Sequence, residues 1–241
     1  MSSLMQLGWQ RFKQHKLGFG CFIMFGLIFI MSLGAELIAN DKPLLVKYDH
    51  ALYFPVLKSY PETAFGGVFE TEAEYKDPAV QQLIAEKGWA IWPIIPFSYQ
   101  SPNLELAVPV PSPPSAQNWL GTDDQGRDVL ARILYGLRVS LLFGFALTLL
   151  SAAIGVLLGA VQGYYGGWID LIGQRLLEVW SSLPMLFMVM LLVSLFSPNI
   201  YWLFLIMLLF GWTTLVSMVR AEFLRARNLE YVWAARSMGA G

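Results

Sequence analysis

Residues 179–219 read VWSSLPMLFMVMLLVSLFSPNIYWLFLIMLLFGWTTLVSMV, 41 positions without an ionisable acid, lysine, arginine or histidine. A helix needs about 20 apolar residues to cross a hydrocarbon core of about 30 Å, so this stretch has room for two crossings. Ser197-Pro198-Asn199 divides them, because the residue before a proline avoids the helical region. Spans are expected at 179–196 and 200–219, with a turn at 197–199. Two further uncharged runs, Leu17–Ala35 with 19 residues and Val139–Ile169 with 31, supply spans at 17–35 and 139–162. Buried helices of soluble proteins seldom stay uncharged over such lengths. For the first run a signal peptide is the alternative, since Arg11, Lys13 and Lys16 precede it and Ser32-Leu33-Gly34 offers small residues. A secretory apolar region runs only about 7–15 residues, which favours an uncleaved helix. The expected fold is an all-α polytopic membrane protein.

Composition agrees. Of 241 residues, 56% are hydrophobic and 14% charged, against about 25% charged in a typical soluble domain. That excludes a disordered chain. A net charge of −1 shows no basic field for nucleic acid. One cysteine, Cys21, and two histidines, His15 and His50, leave no disulfide framework and little material for a metal site. No Gly-Lys pair, H-E-x-x-H or G-x-S-x-G occurs, so no phosphate-binding loop or hydrolase motif is present. No catalytic residue, cofactor or metal is therefore expected. The four spans also lack internal Asp, Glu, Lys, Arg and His, which argues against a self-powered ion-coupled carrier.

Positive charge marks the cytoplasmic side. The tail 1–16 carries Arg11, Lys13 and Lys16 without an acid, and segment 220–241 carries Arg220, Arg225, Arg227 and Arg236 against Glu222 and Glu230. Both ends are expected inside, with 163–178 as a cytoplasmic loop and 36–138 and the 197–199 turn outside. Segment 36–138 holds 13 of the 17 acids and 11 of the 13 prolines. Its aromatics, among them Tyr48, Tyr53, Phe54, Tyr60, Phe65, Trp89 and Trp92, are too many for a linker. It reads as a folded extracytoplasmic insertion, with Ala73–Gly88 as a helix and Trp92–Ser115 extended. It serves either as a structural cap or as a docking surface or gate. At its end, Thr122 and Gln125 have capping-box spacing. Val129, Leu130, Ile133, Leu134 and Leu137 then follow at helical spacing, as an interfacial helix leading into the second span. Asp128 and Arg132 have the spacing of an i,i+4 pair.

Ser151, Gly155, Gly159, Gly163 and Gly167 recur every four residues, which lets another helix approach closely. Tyr164–Gly167 reads as a turn followed by an amphipathic helix, and Arg225–Met238 as a short cytoplasmic helix. Ala234, Ala235 and Gly239 give that helix a small-residue face suited to docking.

Several stretches together resemble one family. Residues 118–136, NWLGTDDQGRDVLARILYG, with Gly121, Thr122, Asp123, Gly126, Arg127 and Asp128, are similar to the L-G-T-D-x-x-G-R-D motif of dipeptide and oligopeptide ABC importer permeases. Residues 163–170, GYYGGWID, with Arg175 and Leu183-Pro184, resemble that family's next cytoplasmic stretch. Residues 231–239, YVWAARSMG, resemble the first half of its E-A-A-x-x-x-G motif, with Trp233 in place of the glutamate. The segment 35–46 and the large insertion are similar to one branch, the second permease subunit of microcin C-type peptide importers.

The resemblance covers residues 117–241 most closely. It implies a type I ABC importer permease-like helix bundle. It further implies a sibling permease, cytoplasmic ATPase subunits that bind the ATP, and a periplasmic peptide-binding protein. Tyr231, Ala234, Ala235, Arg236 and Gly239 would form the coupling helix on the ATPase; substrate residues are not assigned. The family continues beyond Gly241, so the expectation is a C-terminally incomplete subunit of the bacterial inner membrane. A stand-alone channel or carrier and a non-transporting membrane anchor are the alternatives.

Overall fold

The computed structural model describes residues 4–239 apart from 105, 107 and 198, and leaves the side chains of residues 4, 5 and 236 undescribed. The basic tail is helical: α1 (Leu4–Gln14) ends one residue before α2 (Lys16–Leu33), which holds the first uncharged run. Trp9 and Phe12 of α1 both meet Phe19 and Phe22 of α2, with ring centroids 5.7–6.4 Å apart. Gly34 ends α2, and the single turn α3 (Ala35–Ile38) comes next.

The insertion is built on two apolar clusters and contains a small sheet. β1 (Leu45–Tyr48) and β2 (Ala51–Tyr53) are joined by Asp49-His50, whose φ values of 43° and 66° make a two-residue left-handed hairpin turn. A 3-10 turn (Glu62–Phe65), α4 (Pro78–Lys87) and β3 (Gly88–Ile91) complete this part, and the antiparallel sheet has the order β2-β1-β3. Alternation along β1 buries Val46 and Tyr48 against Phe65, Ala73, Tyr75, Val80 and Ile84. The expected helix Ala73–Gly88 begins later, at Pro78. Proline fits the first helical turn, and the Asp77 carboxylate accepts the N–H of Ala79 at 2.8 Å. At its other end Gly88 leads directly into β3. The second cluster ties α3 to residues much later in the chain: Ala35 and Ala39 are buried with Ile95, Phe97, Ala131 and Tyr135.

The expected interfacial helix and second span are one helix, α5 (Val129–Tyr165). Its 37 residues measure about 55 Å, longer than a hydrocarbon core. It starts at Val129 rather than Thr122, and it runs past the expected boundaries at 139 and 162. α6 (Gly167–Ser181) begins after one intervening residue, and α7 (Met185–Leu195) is bent 65° from it. The third span, expected over 179–196, is therefore broken: Pro184 cannot continue a helix from the preceding turn. α8 (Ile200–Gly211) and α9 (Thr213–Ala226) carry the fourth apolar run with an interruption at Trp212, and reach beyond the expected end at 219. Pro198 lies outside the described residues; Asn199 caps α8 by accepting the N–H of Tyr201 at 3.1 Å. The cytoplasmic helix expected over Arg225–Met238 is divided by a turn at 227–229, and α10 (Glu230–Ser237) comes after it.

By length and apolarity, Lys16–Leu33, Val129–Tyr165 and Ile200–Ala226 can each cross a membrane, and the bent α6–α7 pair qualifies as a fourth crossing. The chain divides into two units, Met1–Leu141 and Leu142–Gly241.

Candidate functional site

Three groups of residues singled out by the sequence have defined geometry. The first is the motif before α5, which folds as a buried polar knot. Asp128 is 1% exposed and Asn118 is fully buried. One Asp128 oxygen accepts the N–H of Ala131 at 2.7 Å, the N-cap of α5, and the other accepts the Asn118 amide at 2.8 Å. The Asn103 amide in turn donates to Asn118 at 2.9 Å. Thr122 does not cap a helix; its hydroxyl accepts the N–H of Ser112 at 3.0 Å and lies 2.9 Å from the Ser112 hydroxyl. The cap moves to Asp128 because Thr122–Arg127 is taken up by a tight turn. Gly121 has φ +75°, and a Cβ there would strike the Ser112 carbonyl, so glycine is required. Gly126 donates to the Asp123 carbonyl at 3.1 Å and accepts from the N–H of Asn103 at 2.8 Å.

Asp123 organises the turn. One carboxylate oxygen accepts the N–H groups of Gln125 and Arg127, both at 2.9 Å. The other takes the Arg127 guanidinium at 2.8 Å and also pairs with Arg132. Arg132 is thus held by Asp123, not by Asp128 as its spacing suggested. Burial pushes the Asp123 carboxyl up, but the two backbone N–H donors and the Arg127 guanidinium outweigh it and hold it down at about 2. Every motif residue here is engaged within the protein, so this site positions the start of α5.

The second group is the small-residue ladder, and it packs α5 against α8 and α9. A Cβ on Gly155 would come within 2.9 Å of the Leu215 side chain, and one on Gly159 within 2.8 Å of the Val216 carbonyl and of Val219. One on Gly163 would come within 2.5 Å of Phe223. Ser151 faces Gly211, where a Cβ would come within 2.8 Å of its hydroxyl. The fifth expected member, Gly167, meets nothing within 4 Å; it starts α6 after the turn.

The third group lies at the end of that contact. Arg220 of α9 grips Asp170 of α6 with two nitrogens, Nη2 standing 2.7 Å from Oδ2. Beside this pair the Gln174 amide donates to buried Gln162 at 2.8 Å, and Gly173 lies against the Gln162 side chain. Neither pairing is readable from the sequence, since the partners sit 50 and 12 residues apart. Three residues beyond α9, α10 presents Tyr231 at 69% and Trp233 at 62% exposure, with Met238 next at 83%. Ala234 is exposed and Ala235 half-buried. Gly239 lies just past α10 with φ +88°, and among the described residues a Cβ there would meet nothing within 4 Å, so its role is to end the helix. The Arg236 side chain lies outside the described residues. Trp233 and Met238 are not among the expected docking residues, yet both are large apolar side chains left exposed beside Tyr231. Among the described residues no group of three His, Cys, Asp or Glu is placed to hold a metal ion.

The family described as binding-protein-dependent transport system inner membrane component matches residues 155–241. The N-terminal TM domain of oligopeptide transport permease C matches residues 3–57. The inner membrane ABC transporter permease protein YejE of Escherichia coli (strain K12) is 53% identical over 239 residues, 99% of this chain and 70% of that protein. The peptidoglycan transport system permease protein YejE of Agrobacterium fabrum is 46% identical over 97% of this chain and 67% of its own length. The dipeptide transport system permease protein DppC of Bacillus subtilis is 43% identical over 128 residues, 53% of this chain and 40% of its own.

Proposed function

The chain belongs to the binding-protein-dependent transport inner membrane components, and from that premise we propose that it is one of two permease subunits of an ATP-driven importer for peptides or peptide-bearing cargo. Relatives named for oligopeptide, dipeptide and peptidoglycan transport support a cargo with a peptide portion. Both termini lie in the cytoplasm, as the basic tails favour. A sibling permease completes the pathway, a soluble binding protein delivers cargo to the outer face, and a separate ATPase subunit binds the ATP.

The observation that carries this reading is the placement of α10. It carries Tyr231 and Trp233 exposed, with exposed Met238 just past its end, three residues from a helix that is itself locked to its neighbours. An ATPase that moves α10 moves α9. The Asp170–Arg220 pair carries the motion to α6, and the close contacts at Gly155, Gly159 and Gly163 carry it to α5. Packed interfaces of this kind shift as bodies rather than deform.

The test is reconstitution. The chain is placed in liposomes alone, and again with the sibling permease, ATPase and binding protein from its own gene neighbourhood. Peptide uptake is expected only from the complete set and only with ATP. Uptake by this chain alone would overturn the reading in favour of a self-contained carrier.

A further inference from the structure

We propose that α1 is an interfacial helix whose exposed cations bind the phosphate headgroups of anionic phospholipids. The proposal is independent of what the complex transports, because it needs only that α2 crosses the membrane. Along one continuous helix, Trp9 and Phe22 would lie about 20 Å apart; their rings stand 6.3 Å apart. α1 is therefore folded back on the first turns of α2, through the single residue His15. Its Nδ1 accepts the N–H of Gly18 at 3.0 Å. A helix tethered so tightly to the end of a span cannot leave the membrane boundary. Trp9 and Phe12 sit against Phe19 and Phe22, at the level where aromatic side chains gather.

The charge at this joint is of one sign. Arg11, Lys13 and Lys16 are all exposed, and the first acid in the sequence is Glu36. Glu36 lies beyond the far end of α2 and is held there by Arg138 at 2.6 Å. The N-terminus of α2 adds its own positive dipole end, with no acid in the first turn to offset it. Three cations at a headgroup layer favour phosphate. Apolar face and cations thus coincide at the joint of α1 and α2, at the end of a helix able to cross a membrane, which selects a lipid surface over a soluble acidic partner.

Full-length protein is reconstituted in equimolar phosphatidylglycerol and phosphatidylcholine, and retained lipid is counted by native mass spectrometry. Wild type is expected to keep phosphatidylglycerol over phosphatidylcholine by roughly tenfold. Arg11→Gln, Lys13→Gln and Lys16→Gln combined are expected to fall to about parity with unchanged helix content by circular dichroism. A photoreactive benzophenone at Gln10, in otherwise native protein, is expected to form an adduct of phospholipid mass. A preference that survives the triple substitution, wild type without one, or a Gln10 adduct to an acidic protein segment would overturn the proposal.

Discussion

Asp128 combines two tasks in one buried carboxylate: it caps α5 and satisfies the Asn118 amide. Asp128→Ala removes a cap, which costs about 0.5–2 kcal/mol, and strands a buried amide, which costs about 1–3 kcal/mol. A loss of about 2–4 kcal/mol is expected from thermal unfolding of the detergent-solubilised protein. Asp123 gives a pH signature. Its carboxyl titrates near 2 in the folded protein against 3.8 for a free aspartate, so its contribution is present above about 3.8 and lost as pH falls through about 2. The gap in thermal midpoint between wild type and Asp123→Asn should therefore be constant at pH 5 and close towards pH 2. A gap that does not change with pH would place the carboxyl's contribution elsewhere. The six motif residues could be picked out from the sequence by resemblance alone. What they do could not, because Asn103, Ser112 and Asn118 reach them from up to 23 residues away, through a proline-rich stretch without periodicity.

Close approach of α5 to α8 and α9 makes its glycines unequal. Gly159→Leu puts a side chain where a single Cβ already comes within 2.8 Å of Val216 and Val219, and should destabilise by about 1–3 kcal/mol or prevent folding. Gly144→Ala, on the same helix with nothing within 4 Å, should be neutral or stabilising by up to about 1 kcal/mol. Equal effects at the two positions would refute the packing. The Asp170–Arg220 pair is tested by exchange. Arg220→Asp or Asp170→Arg alone should disable transport by the assembled complex, and the two together should recover part of it. A double variant no better than either single one would mean that the pair does not couple α6 to α9. Apolar runs betrayed the membrane elements because lipid forbids charge along a whole crossing. Their ends were less legible. No proline or cap interrupts Val129–Tyr165, so nothing local separates an interfacial helix from a span. The bend at Pro184 and the break at Trp212 fall inside uncharged sequence, where the hydrophobic pattern is silent.

At the scale of the molecule, the insertion and the membrane helices obey different rules. The sheet of the insertion was not foreseen, since strands of three or four residues are too short to show alternation. Its folded character was legible from the aromatics, and seven of its residues form one buried cluster. At the other end of the chain, we propose α10 as the surface where an ATPase subunit docks. Cys21 is the sole cysteine, so a Cys21→Ser background leaves a blank chain for cross-linking. Ala234→Cys is compared with Leu57→Cys, which lies exposed in the insertion. Each is treated with a thiol cross-linker in membranes containing the ATPase. An adduct is expected between Ala234→Cys and the ATPase subunit, and none from Leu57→Cys. An ATPase adduct at Leu57→Cys, or none at Ala234→Cys in a complex that still transports, would contradict it.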